Sequence, residues 1–302
     1  MAPIRIGTCS WADEALSKYW YPKEVPAKER LAYYAEHFST VEVDSTFYRV
    51  PDRTMVQGWA DRTPAGFVMH VKAFGLMTRH PVRLEQLPPD LRDGMPVDER
   101  GRVDRPPREL RGEVFRQFLS ALEPLREAGK LGGLLFQLPP YVVWKQSSLD
   151  YLEWARELVG DDAFLVEPRH RSWYAEDVRA ELLRWLEARR MTWVVVDAPK
   201  VEAKNVPETL VATTTPLAYV RLHGRNAGTW NVRGGSAAQR FDYTYSEAEL
   251  REWVAPLREL AGEADVAYAF FNNNNQTNGV AQAPAGAFLL RKLLEEEGVP
   301  VA

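Results

Sequence analysis

The sequence predicts the α/β class, as a single (β/α)8 TIM-like barrel with long loops after its third and seventh strands. Three observations predict it. Eight short apolar runs alternate with stretches of helical periodicity across 302 residues. Polar residues gather in the C-terminal half of each apolar run. No G-x-G-x-x-G follows the first run, which disfavours a dinucleotide-binding open sheet.

The elements follow in order. IRIGTC (4–9) is the first strand, and residues 26–38 form a helix with Leu31, Tyr34, Ala35 and Phe38 on one face. TVEVDSTF (40–47) is the second strand, followed by a weaker helix over 52–63. FVMHVKA (67–73), LGGLLFQL (131–138), FLVEPR (164–169) and TWVVVDA (192–198) are strands three to six, rich in β-branched and aromatic residues. Helices at 114–129, 149–160 and 175–190 separate strands three to six, while 199–216 has little helical signal. LAYVRLHG (217–224) and DVAYAFFNN (265–273) complete the strands, with helices at 246–262 and 283–298. Ser246 with Glu249 reads as a capping box, and Gly262 and Gly298 as C-terminal stops.

No linker or internal repeat divides the chain, so residues 1–302 are expected to form one domain. The third strand is followed by a Pro-, Arg- and Asp-rich insertion, 78–108, a candidate lid. The seventh is followed by 225–245, with Gly228, Gly234, Gly235 and Trp230.

A hydrophobic fraction of 45% supports a large core. The net charge of −4 argues against a general nucleic-acid coat and a basic membrane surface. Cys9 is the one cysteine, so a disulfide framework, a cysteine zinc site and an iron–sulfur cluster within the chain are excluded. There is no signal-peptide pattern, apolar run of membrane-spanning length or lipidation signal, and a cytoplasmic protein is expected.

Strand side chains alternate between lumen and helix layer. Val41 and Val43 are expected against the helices, with Glu42 and Asp44 in the lumen. The same alternation sends His70 and Lys72 to one face of the third strand, and Glu167 and Arg169 to one face of the fifth. It pairs Arg221 with His223 on the seventh, above Tyr219. Gln137, Asp197, Asn272 and Asn273 end their strands. Barrel enzymes place their chemistry at that end. Burying so many charges in one cavity costs several kcal/mol per unpaired ion, so a functional ring is preferred to a salt-bridged plug.

These motifs carry a resemblance. GTCSW (7–11), TVEVDSTFYR (40–49), GFVMHVKA (66–73), LLFQLPP (134–140), VEPRHRSW (166–173), YVRLHGRN (219–226), YTYSEAEL (243–250), AFFNNNNQTNG (269–279) and APAGA (283–287) resemble domain of unknown function 72, also called YecE-like. The resemblance runs from about residue 4 to residue 295 and implies a TIM-like barrel. It implies no catalytic roles, because the family's activity is not established.

The residues themselves support several chemistries. Glu42, Asp44, Glu167 and Asp197 face Lys72, Arg169 and Arg221, which leaves the ring nearly neutral. A divalent metal normally takes uncompensated carboxylates, so a metal-dependent hydrolase or phosphodiesterase is an alternative, and no cofactor is evident. A glycosidase would use Glu42 with Glu167, or Asp44 with Asp197, with Trp11, Trp173, Trp230, Phe47 and Tyr48 stacking on sugar. A Schiff-base role for Lys72 ranks lower. The favoured reading is an enzyme (a hydrolase, lyase or isomerase) acting on a small polar or anionic substrate, phosphorylated ones included, held by Arg49, Arg169, Arg171, Arg221 and Arg225 with Lys72. Glu42, Asp44, His70, Lys72, Glu167 and His223 are the catalytic candidates, and Trp11, Tyr48, Arg49, Gln137, Arg169, Asp197, Arg221, Arg225, Asn272 and Asn273 the binding candidates. A non-catalytic protein that binds a ligand or single-stranded nucleic acid is the different-class alternative, nucleic acid being disfavoured by the acidic charge.

Other residues read more simply. Cys9 is a packed strand-end residue, and His37 compensates a helix C-terminus. His80 and His170 divide evenly between surface and site. Trp20, Trp59, Trp154, Trp185 and Trp253 are packing residues, and Asn272–Asn275 a turn.

Overall fold

The computed structural model describes residues 1–201, 203–230 and 240–302. Eight strands form one parallel sheet: β1 (Ile4–Thr8), β2 (Thr40–Val43), β3 (Val68–Lys72), β4 (Leu131–Gln137), β5 (Phe164–Glu167), β6 (Met191–Asp197), β7 (Leu217–Leu222) and β8 (Val266–Phe271). Their order, β1-β8-β7-β6-β5-β4-β3-β2, is that of a nearly closed (β/α)8 barrel. All eight expected strands exist, each ending a little earlier than expected.

One seam lacks a backbone ladder, that between β1 and β2. Gly7 explains the close approach there, since a Cβ on it would stand 2.5 Å from the Thr40 carbonyl oxygen. Tyr34, from helix α2 (Arg30–Ala35), fills the missing bonds. Its hydroxyl accepts from the Thr8 N–H at 3.0 Å and donates to the Thr40 carbonyl at 3.2 Å.

The alternation along each strand builds two cores. Val41, Val43, Val71, Leu134, Phe136 and Val166 pack outward against the helices. Leu135, Leu165, Val194, Val196, Tyr219, Tyr268 and Phe270 fill the lumen together with Cys9.

The second strand is shorter than the sequence suggests. It stops at Val43, and Ser45–Phe47 form a 3-10 turn. The Thr46 hydroxyl lies 2.9 Å from the Val43 carbonyl and 2.6 Å from that of Lys72, and such local side-chain bonds compete with a strand ladder.

Two expected helices are each broken in two. The 114–129 pattern becomes α4 (Arg108–Ala121) and α5 (Glu123–Glu127), and the 246–262 pattern becomes Glu247–Arg251 and Val254–Glu263. Pro124 and Pro256 sit in the first turn of each second piece, where a missing N–H costs nothing. Gly262 is therefore inside a helix and does not stop it, whereas Gly298 takes the expected left-handed backbone at φ 68°. The helix over 26–38 contracts to α2 behind a 3-10 turn at Ala27–Glu29. Helix α1 (Glu14–Tyr19), capped by Asp13, was not expected from periodicity. Helices α3 (Arg53–Asp61), α6 (Gln146–Val159) and α7 (Glu176–Ala188), and the last helix, Gln282–Glu296, follow the sequence reading.

The insertion packs down. Val82, Leu87, Leu91, Met95 and Val103 join the outer core, and Val97 and Val103 form a small bridge. Among the described residues no helix is long and apolar enough to cross a membrane.

Candidate active site

The C-terminal mouth is built from strand ends. Because side chains alternate, residues 42, 167 and 221 point inward from β2, β5 and β7 and meet across the lumen. Arg221 is the hub. Its Nε donates to Glu42 Oε2 at 2.9 Å, its Nη2 donates to Glu42 Oε1, and its Nη1 donates to Glu167 Oε2 at 2.6 Å. Tyr219, one layer lower, donates its hydroxyl to Glu42 Oε2 at 2.7 Å. All four side chains are fully buried.

Glu167 Oε1 is crowded too. Gln137 Nε2 donates to it at 2.9 Å. Arg169 Nε lies 2.5 Å away as an ion pair rather than an aligned hydrogen bond. Burial alone would raise this carboxyl. The Arg169 and Arg221 guanidiniums overcome that and hold it well below the usual carboxylate range. The same two carboxylates push Arg221 well above its ordinary value against the opposing effect of burial.

His223 closes this layer. Its Nε2 lies 3.2 Å from Glu167 Oε1 and 3.1 Å from Arg169 Nη2, and its Nδ1 lies 2.8 Å from the Asn272 amide. Burial and then the Arg169 charge hold the ring neutral, well below the ordinary imidazole value. Phe241 stacks on His223, and Arg169 lies over Trp230 with its Cζ 5.2 Å from the ring centre. Trp230 and Phe241 thereby lie against Arg169 and His223, at the ends of β5 and β7.

A second, shallower layer, open to solvent mainly through Asp44, lies at the ends of β2 to β4. Lys72 Nζ pairs with Asp44 Oδ1 at 3.0 Å, and their side chains are 8% and 18% exposed. Lys72 also sits 4.6 Å over the Phe47 ring. His80 stands edge-on to the same ring. The Thr78 hydroxyl donates to the Gly75 carbonyl at 3.1 Å, so at 2.8 Å it accepts from His80 Nδ1–H. The lone pair of His80 is therefore on Nε2, which has no hydrogen-bond partner among the described residues. Burial, then Lys72 and Arg169, lower the His80 pKa to about 3, so the ring is neutral.

The sequence-selected residues fall into three groups. Glu42, Asp44, Lys72, Gln137, Glu167, Arg169, Arg221, His223 and Asn272 form one continuous network. Asp197 and Arg225 form a neighbouring one: Arg225 Nε is 3.0 Å from both Asp197 oxygens, and Tyr245 donates to Asp197 Oδ2 at 2.6 Å. Burial raises the Asp197 pKa. Arg225 also reaches Glu252 at 2.9 Å, and the Asn273 amide N–H donates to the Tyr243 carbonyl while its Oδ1 is buried without a partner.

The third group lies apart. His70 is one layer below, among Tyr219, Tyr268 and Phe270, with both ring nitrogens unbonded, and burial lowers its pKa to about 3. Trp11 packs edge-on against Trp59 at 5.6 Å. Tyr48 and Arg49 are exposed. Trp173 is fully buried in the outer core, its indole N–H donating to the Val142 carbonyl, and cannot stack on a ligand. Arg171 pairs with Glu208 at 2.6 Å. Cys9 is buried, and burial and then Glu42 keep it a thiol. Of the glycines after the seventh strand, Gly228 donates its N–H to Asn226 Oδ1 in a turn, and Gly234 and Gly235 lie outside the described residues.

Two residues near the mouth escape a periodicity-based reading. His80 lies in a polar insertion, and its direction depends on a 3-10 turn and the left-handed Arg79. Asp13 is legible as a helix cap, but not as a carboxyl whose second oxygen is buried without a partner and whose pKa burial raises to about 6.

A metal ligand set does not emerge. The carboxylate oxygens of Glu42, Glu167 and Asp197 already accept from cations, amides or phenols, and Asp44 is paired. Among the described residues no three His, Cys, Asp or Glu side chains are grouped to hold an ion. Between Glu42 and Glu167, the pair a glycosidase would use, stands the Arg221 guanidinium, which bonds to both carboxylates.

Comparison with known proteins gives consistent matches. Residues 5–301 match the family model described as protein of unknown function DUF72. The UPF0759 protein YunF of Bacillus subtilis is 30% identical over 275 residues, covering 90% of this chain and 89% of that one. The crystal structure of a DUF72 family protein from Thermotoga maritima has a TM-score of 0.76 at 29% identity and covers 97% of this chain and 99% of its own. One from Enterococcus faecalis has a TM-score of 0.77 at 24% identity, with 97% and 95% covered.

Proposed function

The chain belongs to the DUF72 family, and because that family's description carries no activity, we propose from the mouth itself that this is an enzyme performing acid–base chemistry on a small anionic substrate. One observation carries the reading. A buried, mutually paired ionic layer lies beneath a reachable pair, Asp44 and Lys72, 3.0 Å apart. The buried layer fixes geometry and field; the reachable layer is where a ligand can exchange for an existing contact.

The roles follow from what each group can still do. The Lys72 ammonium and the Arg169 guanidinium receive the substrate's negative charge. Asp44, released from Lys72 by that anion, takes or returns the proton. His80, neutral with its lone pair on Nε2, accepts a hydrogen bond from a substrate hydroxyl. Gln137 spends its amide N–H on Glu167 and presents its carbonyl. Isomerisation, elimination and hydrolysis all fit this set.

The test is a thermal-shift screen of sugar phosphates, hydroxy acids and keto acids. A compound that stabilises the wild type and fails to stabilise Lys72→Met supports the reading. Stabilisation that survives in both Lys72→Met and Arg169→Gln, or that appears only with neutral ligands, removes it.

A further inference from the structure

We infer that a groove on the flank of the barrel is a second anion site, suited to the phosphate groups of a small polyphosphate. It lies where α4, α6 and the two ends of the 78–108 insertion meet, and encloses about 400 Å³. Arg79, Arg105, Arg108 and Arg111 line it, over a floor of Tyr151 and Trp154.

The arginines are positioned by rings rather than by carboxylates. Arg79 and Arg111 hold their guanidinium carbons 5.3 and 5.4 Å from the Tyr151 ring centre, and Arg108 holds its own 4.9 Å from that of Trp154. Among the described residues, none of these three has a carboxylate within ion-pair distance, and the shielded Nε of Arg111 makes no hydrogen bond. Arg105 has only Asp104, at 3.9 Å. Asp150 supplies the single negative charge of the lining. By contrast, Arg126 pairs with Asp162 and Arg189 with Glu153. Three guanidiniums without a carboxylate partner, and a fourth held only at 3.9 Å from Asp104, mark a local field of opposite sign to the whole chain of net charge −4.

The backbone adds a second observation. Among the described residues, four other than glycine have left-handed backbone: Arg79, Arg105, Arg190 and Asn278. Two of the four line this groove. Such conformations cost about 1 kcal/mol or more and persist where the surroundings fix them, often at binding sites. Here they turn both ends of the insertion so that Arg79 and Arg105 face one space. Several planar forks around a small volume match the many oxygens of linked phosphates better than a single carboxylate.

The experiment is calorimetric titration of the full chain with tripolyphosphate at about 0.15 M ionic strength, using sulfate as the salt control. Wild type, Arg108→Gln/Arg111→Gln and Lys72→Met are compared, with circular dichroism confirming that each folds. The exposed face of α4 tolerates glutamine. The proposal expects one saturable site per chain, weakened at least about tenfold in the double variant and unchanged in Lys72→Met. The absence of saturable binding, or equal affinity in the double variant, overturns it. A decathymidylate titrated in parallel separates the phosphate sources: tighter binding of the oligonucleotide than of tripolyphosphate overturns the small-ligand assignment.

Discussion

Arg221 on β7 grips both oxygens of Glu42 on β2, and the two residues thereby span the lumen between strands that are not neighbours in the sheet. With its remaining Nη1 on Glu167, a single buried guanidinium bridges two buried carboxylates, and Arg169 supplies the second positive charge at Glu167. Removing it strands Glu42 without a cation and leaves Glu167 to Arg169 and Gln137. Arg221→Met is expected to destabilise the protein by about 3–5 kcal/mol, read as a drop in the urea midpoint at unchanged slope. A loss under about 1 kcal/mol would mean that the network is not the structural base of the mouth.

The seam between β1 and β2 rests on one hydroxyl. Tyr34→Phe leaves the Thr8 N–H without that acceptor and is expected to cost about 1–3 kcal/mol. Amide exchange should show the added opening at Thr8, with little change at the β4–β5 ladder.

His70 makes stability fall in acid. Its folded pKa, about 3, lies below the unfolded value of 6.5, so the stability it contributes is complete above 6.5 and is lost as the pH falls toward 3. At about pH 5 the loss from this ring is about 2 kcal/mol. His70→Leu should flatten the wild-type decline between about pH 7 and pH 5 by that amount. Parallel curves would show that the ring is not held neutral.

Asp13 acts in the opposite direction. Its folded pKa, about 6, lies above the ordinary 3.8, so the folded state is favoured with the carboxyl protonated and that advantage is lost as the pH rises through about 6. Asparagine caps helices about as well as aspartate. Asp13→Asn should therefore gain on the wild type as the pH rises, by about 1–3 kcal/mol near neutrality, with the difference vanishing near pH 4. Denaturant unfolding across that range measures it.

Much of the mouth was legible because strands repeat every two residues. Once Val41 and Val43 were assigned to the helices, Glu42 had to face Arg221 across the lumen, and both do. The same logic overreached at Ser45–Phe47, where Thr46 turns the chain out of the strand with its own hydrogen bonds. Alternation also cannot tell depth: His70 shares a face with Lys72 but lies among aromatic rings one layer down. Pro124 and Pro256 were visible signals for the two broken helices, outweighed by the periodicity around them. The roles of Tyr34 and His80 were not legible, because each depends on a contact made by a hydroxyl across elements or around a 3-10 turn.

The central claim is that Asp44 moves a proton on a bound anion. The direct measurement is deuterium incorporation from D2O into a ligand that stabilises the protein, followed by NMR and mass spectrometry. The account predicts exchange or conversion by the wild type and a fall of at least about a hundredfold in Asp44→Asn, with the Arg221 network intact. A ligand that binds in the mouth yet neither exchanges nor converts, or an Asp44→Asn variant that turns it over at the wild-type rate, would contradict it.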